Sequence, residues 1–489
     1  MGGLHTGHKK IIETAASFSP GKDANIIVSI FVNPLHFGEG EDFEQYPRNI
    51  EADCKAAYEA GANIIWAPSV EDIFPGGEDM HIKIQAPQKL KNHLCGAFRK
   101  NHFDGVATVV VRLLNLVQPT KLFLGEKDWQ QLIIVRQLIN DLNIPVKIQS
   151  IPTVRDKDGL PYSSRNLYLS KIERLKASVL PEILGEAVQN FKKDHDIHIH
   201  QLRKLLETND LKVEYMETVD PTTLTPVNHK ESTICLLATA INCGKTRLID
   251  HTFLMTRNPL VAIDGPAGAG KSTVTKKFAK RLGLIYLDTG AMYRAVTWFI
   301  QETKLDQNND KELLIALKDI NLDLRLSDSG AQRILLNGTD ITHQIRSPKV
   351  TSKVSLFAAK GFIREKLTAQ QQKLGAKGGL VAEGRDIGTT VFPDAELKVF
   401  LTATPKVRAE RRAIDLKEQG YKVPSLYELE QEIRKRDEID TTREISPLLK
   451  AKDAQELVTD GMNIEEVIEA LVEMFREKIP EEIWSTSDN

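Results

Sequence analysis

The run Leu260-Val261-Ala262-Ile263-Asp264, followed by Gly265-Pro266-Ala267-Gly268-Ala269-Gly270-Lys271-Ser272-Thr273, constrains this chain more than any other segment. An apolar run of this length predicts a buried strand, and the residues after Ser272 predict a helix, so the glycines form the turn between them. The spacing G-x-x-x-x-G-K-[ST] suits a polyphosphate. Glycines let successive backbone N–H groups turn inward without Cβ clashes. The helix N-terminus adds the positive end of its dipole. Lys271 can then reach the outer phosphates, and the Ser272 hydroxyl can ligate Mg2+.

A chain of 489 residues has room for more than this one unit. Domains of about 100–200 residues predict two to four of them. Thr256-Arg257-Asn258-Pro259 is polar and carries a proline just ahead of the strand, which sets a boundary near 257. Upstream, Asn25–Phe31, Asn63–Trp66, Lys121–Leu124 and Val146–Ile151 read as strands separated by helical stretches, a parallel α/β pattern. Residues 171–257 differ in character. Helical stretches at 172–191 and 200–208 precede strands at 213–219 and 234–240, which predicts a small α+β lobe. Downstream, Leu284–Leu287, Gly379–Ala382 and Leu397–Leu401 read as strands between helices. Leu322–Leu326 and Arg333–Leu336 bracket Asp328-Ser329-Gly330 as a small β insert. Residues 404–437 alternate Arg, Lys and Glu with apolar positions, as exposed mobile helices would.

Charge and cysteine usage narrow the function classes. Against 67 Asp+Glu there are 65 Lys+Arg, a net charge of -2, which gives no support to a general nucleic-acid binder or a basic membrane-surface protein. Four cysteines (Cys54, Cys95, Cys235, Cys243) are too sparse for a disulfide framework and show no paired metal spacing. No apolar run is long enough to cross a bilayer, and His5, His8, Lys9 and Lys10 stand where a secretory signal would be apolar. The expectation is a cytoplasmic protein without nucleic-acid or membrane partners.

Beyond the phosphate loop, guanidinium groups gather. Asp288-Thr289-Gly290-Ala291-Met292-Tyr293-Arg294 follows the next strand, and Glu383-Gly384-Arg385-Asp386 the one after. Arg408, Arg411 and Arg412 share one stretch, and Arg436, Asp440 and Arg443 another. Phosphoryl transfer between two nucleotides brings many negative charges together, and planar, permanently charged groups suit that task. The plainer explanation, for any one arginine, is a solvated helix face paired with Glu410, Glu418 or Glu432.

The segment from about 259 to 478 resembles bacterial cytidylate kinase through IDGPAGAGKST, YLDTGAMYRA, RSPKVTSKVSLFAAKGFIRE, AEGRDIGTTVFPDAELKVFL and RDEIDTTREISPL. The resemblance implies a P-loop nucleoside monophosphate kinase domain that transfers a phosphoryl group from MgATP to CMP or dCMP. It puts ATP on Gly265 to Thr273, with Arg408, Arg411 and Arg412 in a lid at about 404–437. It assigns Thr289, Tyr293, Arg294, Ser355, Arg364, Arg385, Asp386, Asp440 and Arg443 to the CMP side, with an insert at about 305–375. Lys271 and Asp386 would belong to the catalytic set, and Glu383 stands where an Asp is common. Adenylate or shikimate kinase is the alternative; the insert and the DTGAMYR segment argue against both.

The chain opens Met1-Gly2-Gly3-Leu4-His5-Thr6-Gly7-His8, just before a helical pattern. Such histidines can donate N–H to phosphates at a helix N-terminus, although H-x-G-H alone also fits a metal pair or surface histidines. Gly125-Glu126-Lys127-Asp128 follows a strand, and Ser163-Ser164-Arg165 lies in a Gly/Pro-containing loop. With VSIFVNPLHF, FDGVATVVVRLLNLVQP and FLGEKDWQQL, these segments make residues 1–255 similar to pantothenate synthetase (pantoate–β-alanine ligase). That likeness implies a Rossmann-like nucleotidyl-transferase domain, 1–170, with the small α+β lobe behind it.

The implied reaction activates pantoate as its adenylate, releases pyrophosphate, and couples it to β-alanine with loss of AMP. By the resemblance, Met1 to His8, Gly125, Glu126, Lys127, Asp128, Val154, Tyr162, Ser163, Ser164 and Arg165 bind ATP. His8, His5 and Lys127 would carry the chemistry, while His36 and Gln131 would bind pantoate and β-alanine. A strand-end Lys127 pairing with Asp128 is the plainer explanation of that lysine. His36 replaces a Gln of the family, and an imidazole lacks a carboxamide's paired donor and acceptor. The family also places a buried strand ahead of MGGLHTGH, so the expectation is a start upstream, an incomplete domain or a crippled site.

The expected architecture is therefore α/β throughout: 1–257 as the pantoate ligase domain and 258–489 as the kinase domain. The expected function is bifunctional, with Mg2+ accompanying ATP at both sites, small-molecule partners only, and a homodimer through the ligase half. The alternative is an active kinase with a non-catalytic N-terminal binding or dimerisation domain.

Overall fold

The structure is a computed structural model that describes residues 2–18, 24–38, 42–77, 80–318, 320–326, 332–418 and 420–485. Met1 and the turn Asp328-Ser329-Gly330 lie outside the described residues. The chain divides into two compact units. One holds the described residues through Thr256 together with Pro480–Ile483; the other holds Arg257–Ile479 and continues from Trp484.

In the first unit, four parallel strands form two pairs among the described residues. Ile27–Ser29 pairs with Ile64–Trp66, and Lys121–Gly125 pairs with Lys147–Ile151. Helix Thr6–Ser17 buries Ile12 and Ala15 on its inner side, and helix Ile50–Glu59 buries Ala57 in the same small cluster as Ile12. Helices His102–Val117 and Trp129–Asp141 supply the centre of a larger core with Phe103, Leu132, Ile134 and Val135. Both strand pairs are flanked by helices, as parallel strands require.

The small lobe is a three-stranded antiparallel sheet, Lys212–Val219, Ile234–Cys243 and Thr246–Met255, packed on helices Val179–Asp194 and Ile199–Thr208. Its last two strands run ten residues each, the first of them three residues past the expected end at 240. The two-residue Gly244-Lys245 turn fixes their register, and Gly244 takes a φ of +57° there. The expected single helix at 172–191 is two helices, Lys171–Ala177 and Val179–Asp194, which meet at Ser178. Pro181 lies in the first turn of the second helix, where it costs no hydrogen bond.

The second unit is built on a five-stranded parallel sheet in the order Gln455–Val458, Leu397–Thr402, Leu260–Asp264, Leu380–Gly384, Ile285–Asp288. The phosphate-loop strand is central, and all five of its residues are buried. That is why it reads as an unbroken apolar run. Edge strand Gln455–Val458 escapes a sequence reading because only Leu457 is buried. The insert is a small antiparallel sheet of Leu322–Leu326, Gln332–Leu336 and Thr339–Asp340. The 404–437 region forms helices Pro405–Glu418 and Leu426–Thr442, joined through Ala409, Leu429 and Ile433. It is less exposed than its charge pattern suggests, for Arg408 is buried. No described helix is long and apolar enough to cross a membrane.

Candidate active sites

In the first unit the opening loop is fixed from behind. Asp53, on helix Ile50–Glu59, accepts from Gly3 N–H at 2.9 Å and from Leu4 N–H at 2.6 Å. This places His5 at the start of helix Thr6–Ser17 and His8 one turn in. Gly7 lets the two imidazoles lie close: a Cβ there would stand 3.1 Å from the His5 ring. The rings stack with centroids 4.0 Å apart. His5 N–H points at Nδ1 of His8, 3.4 Å away, which leaves the proton of a neutral His8 on Nε2.

Both histidines are held neutral. Burial, and then the Lys127 charge, pushes His5 down to about 4. Burial and the neighbouring His5 keep His8 well below its ordinary range. His36 also falls to about 4, through burial and Arg99. A lowered folded pKa means that the native state binds fewer protons than the unfolded chain between these values and 6.5. The native state is therefore least penalised above about 6.5 and loses stability as pH falls toward 4. We expect the imidazole resonances of His5 and His36 to stay neutral at pH 6 and to titrate near 4 in an NMR titration. The melting temperature of the first unit should fall over the same interval.

These side chains open onto a cleft of about 330 Å3. Its walls bring together His5, Gly7, His8, His36, Gly125, Lys127, Asp128, Gln131, Val154, Tyr162, Ser163, Ser164 and Arg165. Gly2, Gly3, Leu4 and Thr6 are not in that wall; Leu4 packs behind it with Ile12 and Val28. The Glu126 side chain is also elsewhere. It is fully buried and accepts from Ser150 Oγ at 2.7 Å. Lys127 lies 3.6 Å from Asp128, so the simple pairing is present, yet both face the cleft. Arg165 is tied by two hydrogen bonds to Asp42, and Ser164 Oγ lies 2.8 Å from Tyr46 Oη.

His36 ends the short helix Pro34–His36, which Asn33 caps by accepting from Leu35 N–H. Its ring stacks on His102 at 4.3 Å, and its carbonyl accepts from Arg99 and from His102 Nδ1. Tyr46 opens the segment YPRN, which also resembles the ligase family, whereas Asp53, Asp42, Arg99 and His102 carry no sequence signal of their own. Each lies outside a glycine-marked motif, and only folding brings Arg99 and His102 to the cleft and Asp42 and Asp53 behind it.

In the second unit the phosphate loop is closed around Lys271. Its ammonium donates to the carbonyls of Gly265, at 2.6 Å, and Pro266, at 2.8 Å. Gly265 admits no side chain, because a Cβ would meet the Leu401 carbonyl at 2.0 Å. Ser272 Oγ donates to Glu383 at 2.5 Å, and Tyr286 Oη donates to the same oxygen at 2.8 Å. The other Glu383 oxygen is buried without a partner. Burial, and then the Asp288 carboxylate, raises the Glu383 pKa. Asp264 at the strand end accepts from Ile387 and Gly388 N–H, and burial lifts it to about 6. It closes the apolar strand one residue ahead of the G-x-x-x-x-G-K-[ST] spacing.

The arginines converge. Arg408 donates to Ala267 O and pairs with Asp437; Arg411 donates to Ala269 O and Thr459. Both therefore lie against the phosphate loop, and their partners are not Glu410, Glu418 or Glu432. Arg364 is buried, pairs with Asp386, and lies over the Tyr293 ring at 5.3 Å. Arg385 donates to Asp440, and Arg294 to Asp288, which also caps helix Thr289–Glu302 through Ala291 N–H. Arg443 donates to Ser446 O and stands 3.9 Å from Asp386. Thr289 Oγ1 donates to the Glu383 carbonyl. Ser355 is half-buried on helix Val354–Ala358, which packs on helix Thr289–Glu302; Arg412 is half-buried and Thr273 exposed.

Acids pair with Arg294, Arg364, Arg385 and Arg408, yet cations still crowd one another around Arg436 and Arg443. Burial, and then Arg385, lowers the Arg436 pKa, and burial with Arg364 lowers that of Arg443. Buried nitrogens of Arg294, Arg364, Arg436 and Arg443 lack partners. Guanidinium groups crowded in this way form a receptor for anions.

A parallel α/β unit with a neutral-histidine cleft, and a second with a phosphate loop beside a cluster of guanidinium groups, define a protein with two nucleotide-using enzymatic sites. The family model for pantoate–β-alanine ligase matches residues 1–253, and that for cytidylate kinase matches residues 261–477. A bifunctional pantoate ligase/cytidylate kinase of Prochlorococcus marinus is 66% identical over 488 residues, 100% of this chain and 94% of the relative. One of that name from a Synechococcus species is 53% identical, over 99% of this chain and 98% of its own. The pantothenate synthetase of Thermus thermophilus is 38% identical, covering 52% of this chain and 90% of its own, with a TM-score of 0.47. The chain belongs to the bifunctional pantoate ligase/cytidylate kinase family. It joins pantoate to β-alanine with consumption of ATP, and it phosphorylates CMP. The relatives are named for both activities, which favours this reading over a non-catalytic N-terminal module.

Proposed function

We propose that each site works by positioning ATP and neutralising the charge that develops on its phosphates. The observation that carries this for the kinase is the set of buried guanidinium nitrogens without partners around Arg436 and Arg443. The acceptor is itself a phosphate, already an anion, so no general base is required. Arg294, Arg364, Arg385 and Arg443 hold the CMP phosphate, with Tyr293 and Ser355 on the base side. Asp386 and Asp440 orient those arginines and meet the sugar. Lys271, Arg408, Arg411 and Arg412 surround the ATP phosphates. As the γ-phosphoryl moves to a CMP oxygen, the bond to the β-phosphate breaks and ADP leaves.

Mg2+ fits the oxygen set beside the loop. Ser272 Oγ, the unpartnered Glu383 oxygen and Asp288 are hard donors, few enough for the ion to keep phosphate and water ligands. Bound there, it would draw charge from the β- and γ-phosphates. Among the described residues no group of three or more His, Cys, Asp or Glu forms a protein-only metal cage.

In the ligase, a pantoate carboxylate oxygen attacks the α-phosphorus and pyrophosphate leaves. The β-alanine nitrogen then attacks the activated carbonyl, AMP leaves, and the nitrogen loses a proton. His8 donates from Nε2 as a neutral imidazole, so it stabilises the phosphate charge by hydrogen bonding without adding a cation. Lys127 supplies the positive charge beside it. Gln131 and His36 face the pantoate and β-alanine end, and Tyr162 to Arg165 close over ATP once Arg165 exchanges Asp42 for phosphate.

Product analysis tests the whole reading. With MgATP and CMP the full chain should yield ADP. With MgATP, pantoate and β-alanine it should yield AMP and pyrophosphate. ADP alone would overturn the ligase assignment.

A further inference from the structure

The short segment after the last helix, Pro480–Ile483, belongs to the first unit. A buried carboxylate, Glu126, and a half-buried one, Glu482, meet there. Glu126 accepts from the backbone N–H of Glu481 at 3.0 Å and of Glu482 at 3.1 Å. In return, the Glu482 carboxylate accepts from Thr153 N–H at 2.8 Å and lies 3.3 Å from Nε2 of His251. Arg155, held to Asp250 by two hydrogen bonds, adds a second nearby cation. Ile483 packs against the core that contains Trp129 and Phe253.

Neither carboxylate sits at random. Glu126 is flanked by Gly125 and Lys127, and Thr153 precedes Val154; all but Glu126 line the ligase cleft. Val154 O in turn accepts from Tyr162 N–H, which starts the loop expected to close over ATP. A buried carboxylate must be satisfied, and losing its donors costs far more than a surface contact would. The burial of Glu126 and His251 against one segment therefore fixes two walls of the cleft at once.

We propose that Pro480–Ile483, through Glu482, is a positioning element of the pantoate ligase site. It fixes the Gly125–Asp128 loop and the Thr153-Val154 segment beyond strand Lys147–Ile151 in the geometry that receives ATP. Glu482 touches no substrate and acts through its neighbours. The inference rests on the assignment of those two segments to ATP.

The test is steady-state kinetics of the full-length chain carrying Glu482→Ala or Glu482→Gln. Loss of an anchor one residue from the cleft should raise KM for ATP in the ligase reaction about tenfold, since small misplacements are costly. The effect on kcat should be smaller, and the CMP kinase reaction should stay at its parent rate. The amide of Glu482→Gln still accepts from Thr153 N–H, so this variant should recover most of the loss. Ligase KM and kcat within twofold of the parent in Glu482→Ala would overturn the proposal. So would a parallel fall in kinase rate, or a Gln variant as impaired as Ala with unchanged melting. A parent chain without AMP release would instead refute the ligase reading on which the proposal rests.

Discussion

Lys271→Ala is expected to lower phosphoryl transfer to CMP by on the order of 10³ while pantothenate formation continues at the parent rate. The ammonium is buried, and it holds the carbonyls of Gly265 and Pro266. Burial, and then the Arg385 charge, lowers its pKa, so its surroundings already favour losing a proton. An incoming polyphosphate reverses that balance and draws the charge onto itself. Removing one preorganised cation from a water-poor phosphoryl-transfer site costs about 10²–10³ in kcat. Here the loop also loses the group that ties its two carbonyls. Coupled detection of ADP with CMP, and of AMP with pantoate and β-alanine, measures both reactions in one preparation. If the two rates fell together, the lysine would be supporting the fold and not the chemistry of one site.

The parts of these sites that sequence makes legible are those in which the chemistry demands an unusual residue at a fixed spacing. The glycines at 265, 268 and 270 all take positive φ, and Lys271 and Ser272 follow them on a helix, as G-x-x-x-x-G-K-[ST] requires. Strand Leu260–Asp264 is visible because a central parallel strand is buried on both faces and so is uniformly apolar. The opposite holds for Gln455–Val458, an edge strand with one buried residue, whose pattern is indistinguishable from a loop. Asp53 and Glu482 are out of reach for another reason. An aspartate on an exposed-looking helix becomes the clamp of the opening loop only after some fifty residues of chain fold back on it. The Glu126 side chain reads with its loop, but two of its partners come from the far end of the chain. Local pattern carries what the backbone must do; it does not carry which distant groups share a buried charge.

His8→Ala is expected to slow pantoyl adenylate formation by on the order of 10²–10³ and to leave the β-alanine step nearly untouched. The structure supports a donor role specific to the first step. His8 lies one turn into a helix, so phosphate oxygens approach a dipole end and an imidazole N–H together. His5 N–H faces Nδ1 of His8, which keeps the remaining proton on Nε2. Burial and the neighbouring His5 keep the ring neutral, so its contribution is a directed hydrogen bond and not a full charge. The loss of one such donor in a preorganised anion site corresponds to about 2.7–4 kcal/mol of transition-state stabilisation. Pantoate-dependent exchange of pyrophosphate into ATP isolates the adenylation step. Supplying pantoyl adenylate together with β-alanine isolates the second step, in which no pyrophosphate departs. His5→Ala should be milder, because that ring supports His8 by stacking, while the bond to Nδ1 comes from the His5 backbone, which alanine retains. If His8→Ala slowed both half-reactions equally, the histidine would be shaping the cleft as a whole, and the donor to pyrophosphate would have to be sought at Lys127 or Arg165.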